Sequence, residues 1–211
     1  SSSNEVVEVK NGSFLHLNIT GVQIVDRNVS DPMAGFGLLF GGNSMAGVNE
    51  IIEAIERAET DDRIEGITLD LGFFAGGSAS AKEIRDALLR FKKNSHKPIY
   101  SYGTFANSKS YYIASVSDSI GLNPSGLIDW TGMNLSVSYY KDLLQNIGVE
   151  VEVIRGSNNQ FKSAVEPFLQ NYMSDANRTQ LSTLAGDLWG IMLEEVAEAR
   201  SMDVSGLQTI A

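Results

Sequence analysis

Residues 64–103 read IEGITLDLGFFAGGSASAKEIRDALLRFKKNSHKPIYSYG, and they contain one complete strand–helix–strand unit. The opening IEGITLDL is short and apolar, as is typical of a central strand, and the glycine-rich GFFAGGSAS ends it. AKEIRDALLRFKKN predicts a helix, because Ile84, Leu88 and Phe91 recur on one face. KPIYSYG then predicts a second strand. Two strands connected through a helix run parallel in a sheet.

The same alternation continues on both sides of this unit. Upstream, SMAGVNEIIEAIERAETDD predicts a helix with Ser44 as its N-cap and an apolar stripe. Downstream, we predict the helix NSKSYYIASVSD, the strand SIGLNP, the helix YYKDLLQNIGV, the strand VEVEVIRG and a long last helix capped by Ser174. This order predicts an α/β fold with a largely parallel sheet covered by helices.

The amino-terminal part has a different pattern. EVVEVKNGSFLHLNITG alternates apolar and polar residues around Asn11-Gly12, which predicts a β-hairpin. We expect hairpin and strands over residues 1–27, a mobile Gly-rich apolar loop over 28–44 and the α/β body over 45–211. The loop is either tucked against the body or a flap that meets an apolar ligand or another subunit. We expect one domain over 1–211, and both ends look cut, as in a fragment of a longer chain.

Composition excludes several classes of protein. The formal net charge is −10, and no basic face is visible, so nucleic-acid binding is not predicted. The chain has no cysteine and only two histidines, which argues against thiol catalysis, a Ser-His triad and a histidine metal site. No apolar run approaches the roughly 18 to 20 residues of a membrane span. The glycine turn lacks the nucleotide-binding motifs, and we predict no metal and no cofactor.

Sites in α/β folds lie at the carboxyl ends of strands, and two turns there contain polar groups. Gly76-Gly77 is either a tight turn that requires positive φ or a source of backbone N–H groups for an oxyanion. Ser108 starts the helix after the strand PIYSY, where a serine is either a helix cap or a nucleophile. Lys109 is interpreted as a solvated side chain.

A third candidate is Lys162, which lies between Phe161 and the small apolar Ala164-Val165. A lysine that acts as a general base must be neutral, and lowering its pKa from about 10.4 to about 7 costs roughly 4 to 5 kcal/mol, which burial supplies. The alternative is a salt bridge to Glu166. Pro167 argues against it, because the residue before a proline is pushed out of helical geometry.

Four motifs together resemble the signal peptide peptidase A (protease IV) family: FKSAVEPF, MSDANRTQ, YYIAS and FAGG. The resemblance covers residues from about Val48 to Val204 and is closest to the amino-terminal half of the long, two-repeat bacterial form. It implies a crotonase-like fold and a membrane-anchored serine protease that degrades cleaved signal peptides. Such a protease uses a Ser-Lys dyad, and Lys162 falls on the general-base lysine.

The resemblance also implies where the nucleophile lies. In the long form the serine belongs to the second, carboxy-terminal half, so the present chain is expected to be the lysine-bearing half and inactive alone. In the short form the serine lies in an Ala-Ser-Gly-Gly-Tyr setting. Ser108 aligns with that serine, but Lys109 and Ser110 replace the glycines. On its alignment alone Ser108 is a candidate nucleophile, and Gly76 and Gly77 are the candidate oxyanion-binding residues that would accompany it.

The resemblance further implies a homo-oligomer on the extracytoplasmic, periplasmic side of the bacterial inner membrane, anchored by a segment outside this chain. Two alternatives remain open. The domain could be a non-catalytic scaffold whose Gly-rich loop mediates assembly. Fold analogy alone suggests a crotonase-type acyl-CoA enzyme.

Overall fold

The computed structural model describes residues 9–21, 23–25, 45–154 and 163–211. The strands in these ranges are β1 (Ser13–Leu17), β2 (Gln23–Val25), β3 (Met45–Gly47), β4 (Ile64–Leu71), β5 (Ile99–Asn107) and β6 (Ser119–Asp129). The helices are α1 (Val48–Thr60), α2 (Ser78–Ser95), α3 (Ser108–Ala114), α4 (Lys141–Asn146), α5 (Glu166–Leu169), α6 (Asp175–Arg200) and α7 (Val204–Thr209).

The main sheet has the order β1-β4-β5-β6, and every pair in it is parallel. Ile67 of β4 lies opposite Ile99 of β5, and both are fully buried. A second, two-stranded sheet pairs β2 with β3, also in parallel. The predicted α/β class with a largely parallel sheet is confirmed, since the three strand pairs of the main sheet are all parallel.

Helices α1 and α2 bury the apolar faces that the sequence predicts. Ile84, Leu88 and Phe91 of α2 are fully buried. In α1, Val48 and Ile55 are buried on the same stripe. Ser174 caps α6, since its Oγ accepts a hydrogen bond of 3.2 Å from Asn177 N, as predicted.

Two predicted elements differ in the structure. The helix predicted from Ser44 begins at Val48 with Gly47 as its N-cap, because residues 45–47 pair with β2 as β3. The predicted strand VEVEVIRG is wrong over 149–154, which form no strand. There Val149 N donates to Leu144 O at 2.9 Å, so the chain closes the end of α4. An alternating pattern forms a strand only where a neighbouring strand pairs with it.

Several predictions fall outside the described residues. These are the Gly-rich loop at 28–44 and most of the first strand of the predicted hairpin. The turn at Asn11-Gly12 is present, with Gly12 at φ 81°. The strand after it, β1, pairs in parallel with β4.

The chain forms two compact units. The first comprises Ser1–Thr131 with Glu194–Ala211 and contains both sheets. The second, Gly132–Leu193, contains α4, α5 and most of α6. Within the described ranges, none of the helices has the length and hydropathy of a membrane span.

Candidate active site

The start of α3 lies at the carboxyl end of β5, and Asn107 fixes it to the neighbouring turn. Asn107 Oδ1 accepts hydrogen bonds from Ser110 N at 3.1 Å and Phe74 N at 3.2 Å. Asn107 Nδ2 donates to Phe74 O at 3.1 Å. Asn107 is therefore the N-cap of α3, and the interpretation of Ser108 as the cap is wrong. An asparagine at this position satisfies a helix N–H group that has no partner within the helix.

Ser108, the first residue of α3, is bound to the end of β6. Its Oγ lies 3.1 Å from Asp129 O and 2.9 Å from Thr131 O, to which it can donate. The same Oγ accepts a hydrogen bond from Thr131 N at 3.0 Å. All of these partners are backbone groups, so the hydroxyl of Ser108 links α3 to the segment after β6.

The interpretation of Lys109 as a solvated side chain is wrong. Its Nζ donates to Gly76 O at 2.5 Å. Burial lowers the pKa of Lys109 below the ordinary lysine value. Ser110, next along the helix, is buried, and its Oγ accepts from Gly72 N at 3.4 Å. The side chains of residues 107–110 thus all bind backbone groups of neighbouring segments.

The glycine turn after β4 is explained by close packing rather than by positive φ. Neither Gly76 nor Gly77 is among the residues with positive φ. A Cβ at Gly76 would lie 2.5 Å from the ring of Phe74 and 3.0 Å from Cβ of Ile24. Gly77 is the N-cap of α2 at φ −69° and ψ 166°, without a side-chain cap. The structure brings Gly76, Gly77, Ser108 and Lys109 to one edge of the sheet.

Lys162 lies outside the described residues, but the chain that follows it is described. Glu166, four residues on, is buried at the start of α5. Its carboxylate accepts from Ser174 Oγ at 2.5 Å, Ser174 N at 3.3 Å and Asn177 Nδ2 at 3.0 Å. These bonds fix α5 to the first turn of α6. Sequence reasoning missed this network, although the sequence shows a polar residue, Asn177, three positions after the Ser174 cap.

Sequence reasoning also missed a charged cluster around Glu195. Its carboxylate pairs with Lys82 Nζ at 2.7 Å and Arg85 Nη1 at 3.2 Å, and it accepts from the hydroxyl of Tyr112. Burial alone would raise the pKa of Glu195, but the hydrogen bonds from Lys82 and Tyr112 hold it below its ordinary value. Burial raises the pKa of Tyr112. The cluster holds α2, α3 and the end of α6 together.

The part of the chain that the structure describes offers no group of three or more His, Asp or Glu side chains that could hold a metal. His16 lies on β1, where its Nε2 is 3.2 Å from Asp70 and its Nδ1 is 3.0 Å from Thr68 Oγ1. The polar side chains at the start of α3 instead hold backbone groups of the neighbouring segments in position.

Comparison with known proteins gives a family match over residues 91–211, to peptidase family S49. The chain is 34% identical over 193 residues to Protease 4 of Salmonella typhi, covering 89% of this chain and 31% of that protein. It is 32% identical over 153 residues to Protease 4 of Haemophilus influenzae, covering 72% of this chain and 25% of that protein. The chain thus spans about a quarter to a third of these two relatives.

A more distant relative is the putative signal peptide peptidase SppA of Enterococcus faecium. It is 24% identical over 216 residues, which are 99% of this chain and 59% of that protein. Family S49 has the ClpP/crotonase-like fold, and the parallel sheet with its covering helices agrees with it. The fold class predicted from the sequence is confirmed.

Proposed function

The chain belongs to peptidase family S49, and from this membership we propose that it is the lysine-bearing half of a Ser-Lys serine protease. Lys162 is the general base in this proposal, and a second half of the same protein supplies the nucleophilic serine. The observation that carries the proposal is the sequence FKSAVEPF, which contains Lys162 and lies inside the family match.

The chemistry requires a lysine that is neutral before the reaction. A neutral amine takes the proton of the serine hydroxyl, the serine oxygen attacks the peptide carbonyl carbon, and backbone N–H groups stabilise the oxyanion. The resulting ammonium then gives its proton to the leaving amine. Apolar neighbours such as Phe161 and Val165 favour the neutral form, because desolvation disfavours the charged one.

Three observations support a serine from outside this chain. The hydroxyl of Ser108 binds the backbone of Asp129 and Thr131. The residue after it is Lys109, which binds Gly76 O. The two Protease 4 relatives are also three to four times longer than the matched region, with room for another half.

We propose cleaved signal peptides as substrates, at the extracytoplasmic face of the bacterial inner membrane, with an anchor outside this chain and no cofactor. The name of the Enterococcus faecium relative, putative signal peptide peptidase, supports this substrate class. We further propose that this chain assembles with the carboxy-terminal half of the same protein and with further copies of the protein in a homo-oligomer. In the second unit, α4 has no buried residue, and Leu143, Ile147 and Ile154 are 56%, 63% and 95% exposed. Exposed apolar groups of this kind mark interaction surfaces.

The test is hydrolysis of a synthetic signal peptide by the complete protein and by its Lys162→Ala variant. We expect a loss of about a thousandfold in kcat, because general base catalysis of an activated nucleophile is removed. Lys93→Ala, which changes an exposed lysine of α2, is the matched control and should retain activity. Full activity in Lys162→Ala would overturn the assignment and favour the scaffold alternative. Binding of coenzyme A by the wild type would favour the acyl-CoA alternative.

A further inference from the structure

At the start of α3, the side chain of Lys109 binds the carbonyl oxygen of Gly76 in the glycine turn after β4. Its Nζ lies 2.5 Å from Gly76 O. In the part of the chain that the structure describes, no carboxylate forms an ion pair with Lys109. The partly buried ammonium of Lys109 thus forms a charge-assisted hydrogen bond with the Gly76 carbonyl oxygen. Such a bond is stronger than one between neutral groups.

This bond sets the direction of the peptide group between Gly76 and Gly77. None of the described peptide bonds is cis. In a planar trans peptide the C=O of one residue and the N–H of the next point in opposite directions. Because Gly76 O is directed at Lys109, the N–H of Gly77 points away from the Lys109 ammonium.

Steric contacts alone do not hold the Gly77 side of this peptide. A Cβ at Gly77 would meet only Ser80 Oγ, at 4.0 Å. Glycine adopts positive and negative φ with similar ease, so a Gly-Gly peptide is easily flipped. Phe74 and Ile24 fill the space beside the Cα atom of Gly76. The direction of its carbonyl group depends on a hydrogen-bond partner. Lys109 is that partner.

We infer that Lys109 is a positioning residue, which fixes the Gly76–Gly77 peptide with its carbonyl oxygen towards the start of α3 and so prevents this turn from receiving an oxyanion there. The inference rests on the proposed function in one respect, because it assigns the working oxyanion site to the other half. An oxyanion needs N–H donors, whereas this turn presents an acceptor that a cation already occupies. The Ser108 position of this chain therefore has no oxyanion-binding site at the glycine turn.

The experiment follows the backbone amide of Gly77 by NMR in the 211-residue chain while the pH is raised. The ¹⁵N shift of an amide reports hydrogen bonding to the preceding carbonyl, here that of Gly76. In the wild type we expect the Gly77 signal to titrate together with the Lys109 side chain, at lower pH than an ordinary lysine. In Lys109→Met this titration should be lost and the Gly77 signal should move or split. Lys109→Arg keeps the cation and should restore a single wild-type-like signal.

Inorganic phosphate provides the second measurement. We expect the Gly77 amide of the wild type not to respond to added phosphate, because its N–H is turned away from the ammonium. A phosphate-dependent shift of that amide in the wild type would overturn the inference. So would a Gly77 signal that is the same in wild type and Lys109→Met. Lys93→Met controls for the general loss of one positive charge. These signals do not depend on catalysis, so their failure is separate from a failure of the Lys162 assignment.

Discussion

The hydroxyl oxygen of Ser108 lies 2.9 Å from the carbonyl oxygen of Thr131 and 3.0 Å from the amide nitrogen of the same residue. Ser108 is thus bound to the backbone just beyond β6 by both a donor and an acceptor interaction. A serine nucleophile needs its hydroxyl directed at a base, and this one is directed at a peptide group. The relationship makes Ser108 a structural link between α3 and β6.

Replacing Ser108 with alanine tests this link in the complete protein. We expect Ser108→Ala to keep peptide hydrolysis within about twofold of wild type and to lower the free energy of unfolding by about 1 kcal/mol, the value of one hydrogen bond. Ser119→Ala, at an exposed serine of β6, is the control and should leave stability unchanged. Loss of hydrolysis in a folded Ser108→Ala protein would show that this serine is the nucleophile.

The glycine turn allows a comparison of two adjacent positions. In Gly76→Ala the new methyl group would lie 2.5 Å from the fully buried ring of Phe74, so we expect destabilisation of about 1–3 kcal/mol from overpacking. Gly77→Ser has open space and negative φ, and serine is a favourable N-cap, so its effect should stay within about 0.5 kcal/mol. Urea unfolding measures both, and equal effects would contradict the packing argument.

The buried carboxylate of Glu166 holds α5 on the start of α6. Glu166→Ala leaves donors of Ser174 and Asn177 without their acceptor, and we expect a loss of about 2–3 kcal/mol in unfolding free energy. Glu152→Ala changes an exposed glutamate and serves as the control. If the two variants unfold at the same urea concentration, the network does not contribute to stability.

The Glu195 cluster predicts a pH-dependent stability difference. The pKa of Glu195 is lowered in the folded chain, so its contribution is present above the unfolded pKa and is lost as the pH falls through the folded value. We expect Glu195→Gln to cost about 2 kcal/mol at neutral pH, from hydrogen bonds to a charged group, and progressively less below about pH 4. Glu194→Gln, at an exposed glutamate of the same helix, is the control and should change the stability at neutral pH by no more than about 0.5 kcal/mol. A cost for Glu195→Gln that is independent of pH would exclude the ionised carboxylate as its cause.

The parts of the structure that could be predicted from sequence are those that short-range patterns determine. The buried face of α2 follows from the spacing of Ile84, Leu88 and Phe91, and the parallel sheet follows from the order of elements. The cap of α3 was misassigned by one residue, because Asn107 and Ser108 are both good caps and only geometry separates them.

The contacts that sequence reasoning missed join residues far apart in the chain. Lys109 and Gly76 are 33 positions apart, and Lys82 and Glu195 are 113 positions apart. Such pairs depend on how the elements pack, which no local periodicity encodes. The predicted strand after residue 148 failed for the same reason, since strand formation over Val149–Ile154 requires a partner strand.

The most direct test of the Ser-Lys account is to identify the serine that reacts with a fluorophosphonate probe in the complete protein, by peptide mapping with mass spectrometry. We predict one labelled serine per chain, located outside the 211 residues of the present sequence, and labelling slowed by about a hundredfold or more in Lys162→Ala. Labelling of Ser108, or labelling that proceeds at the wild-type rate without Lys162, would contradict the account.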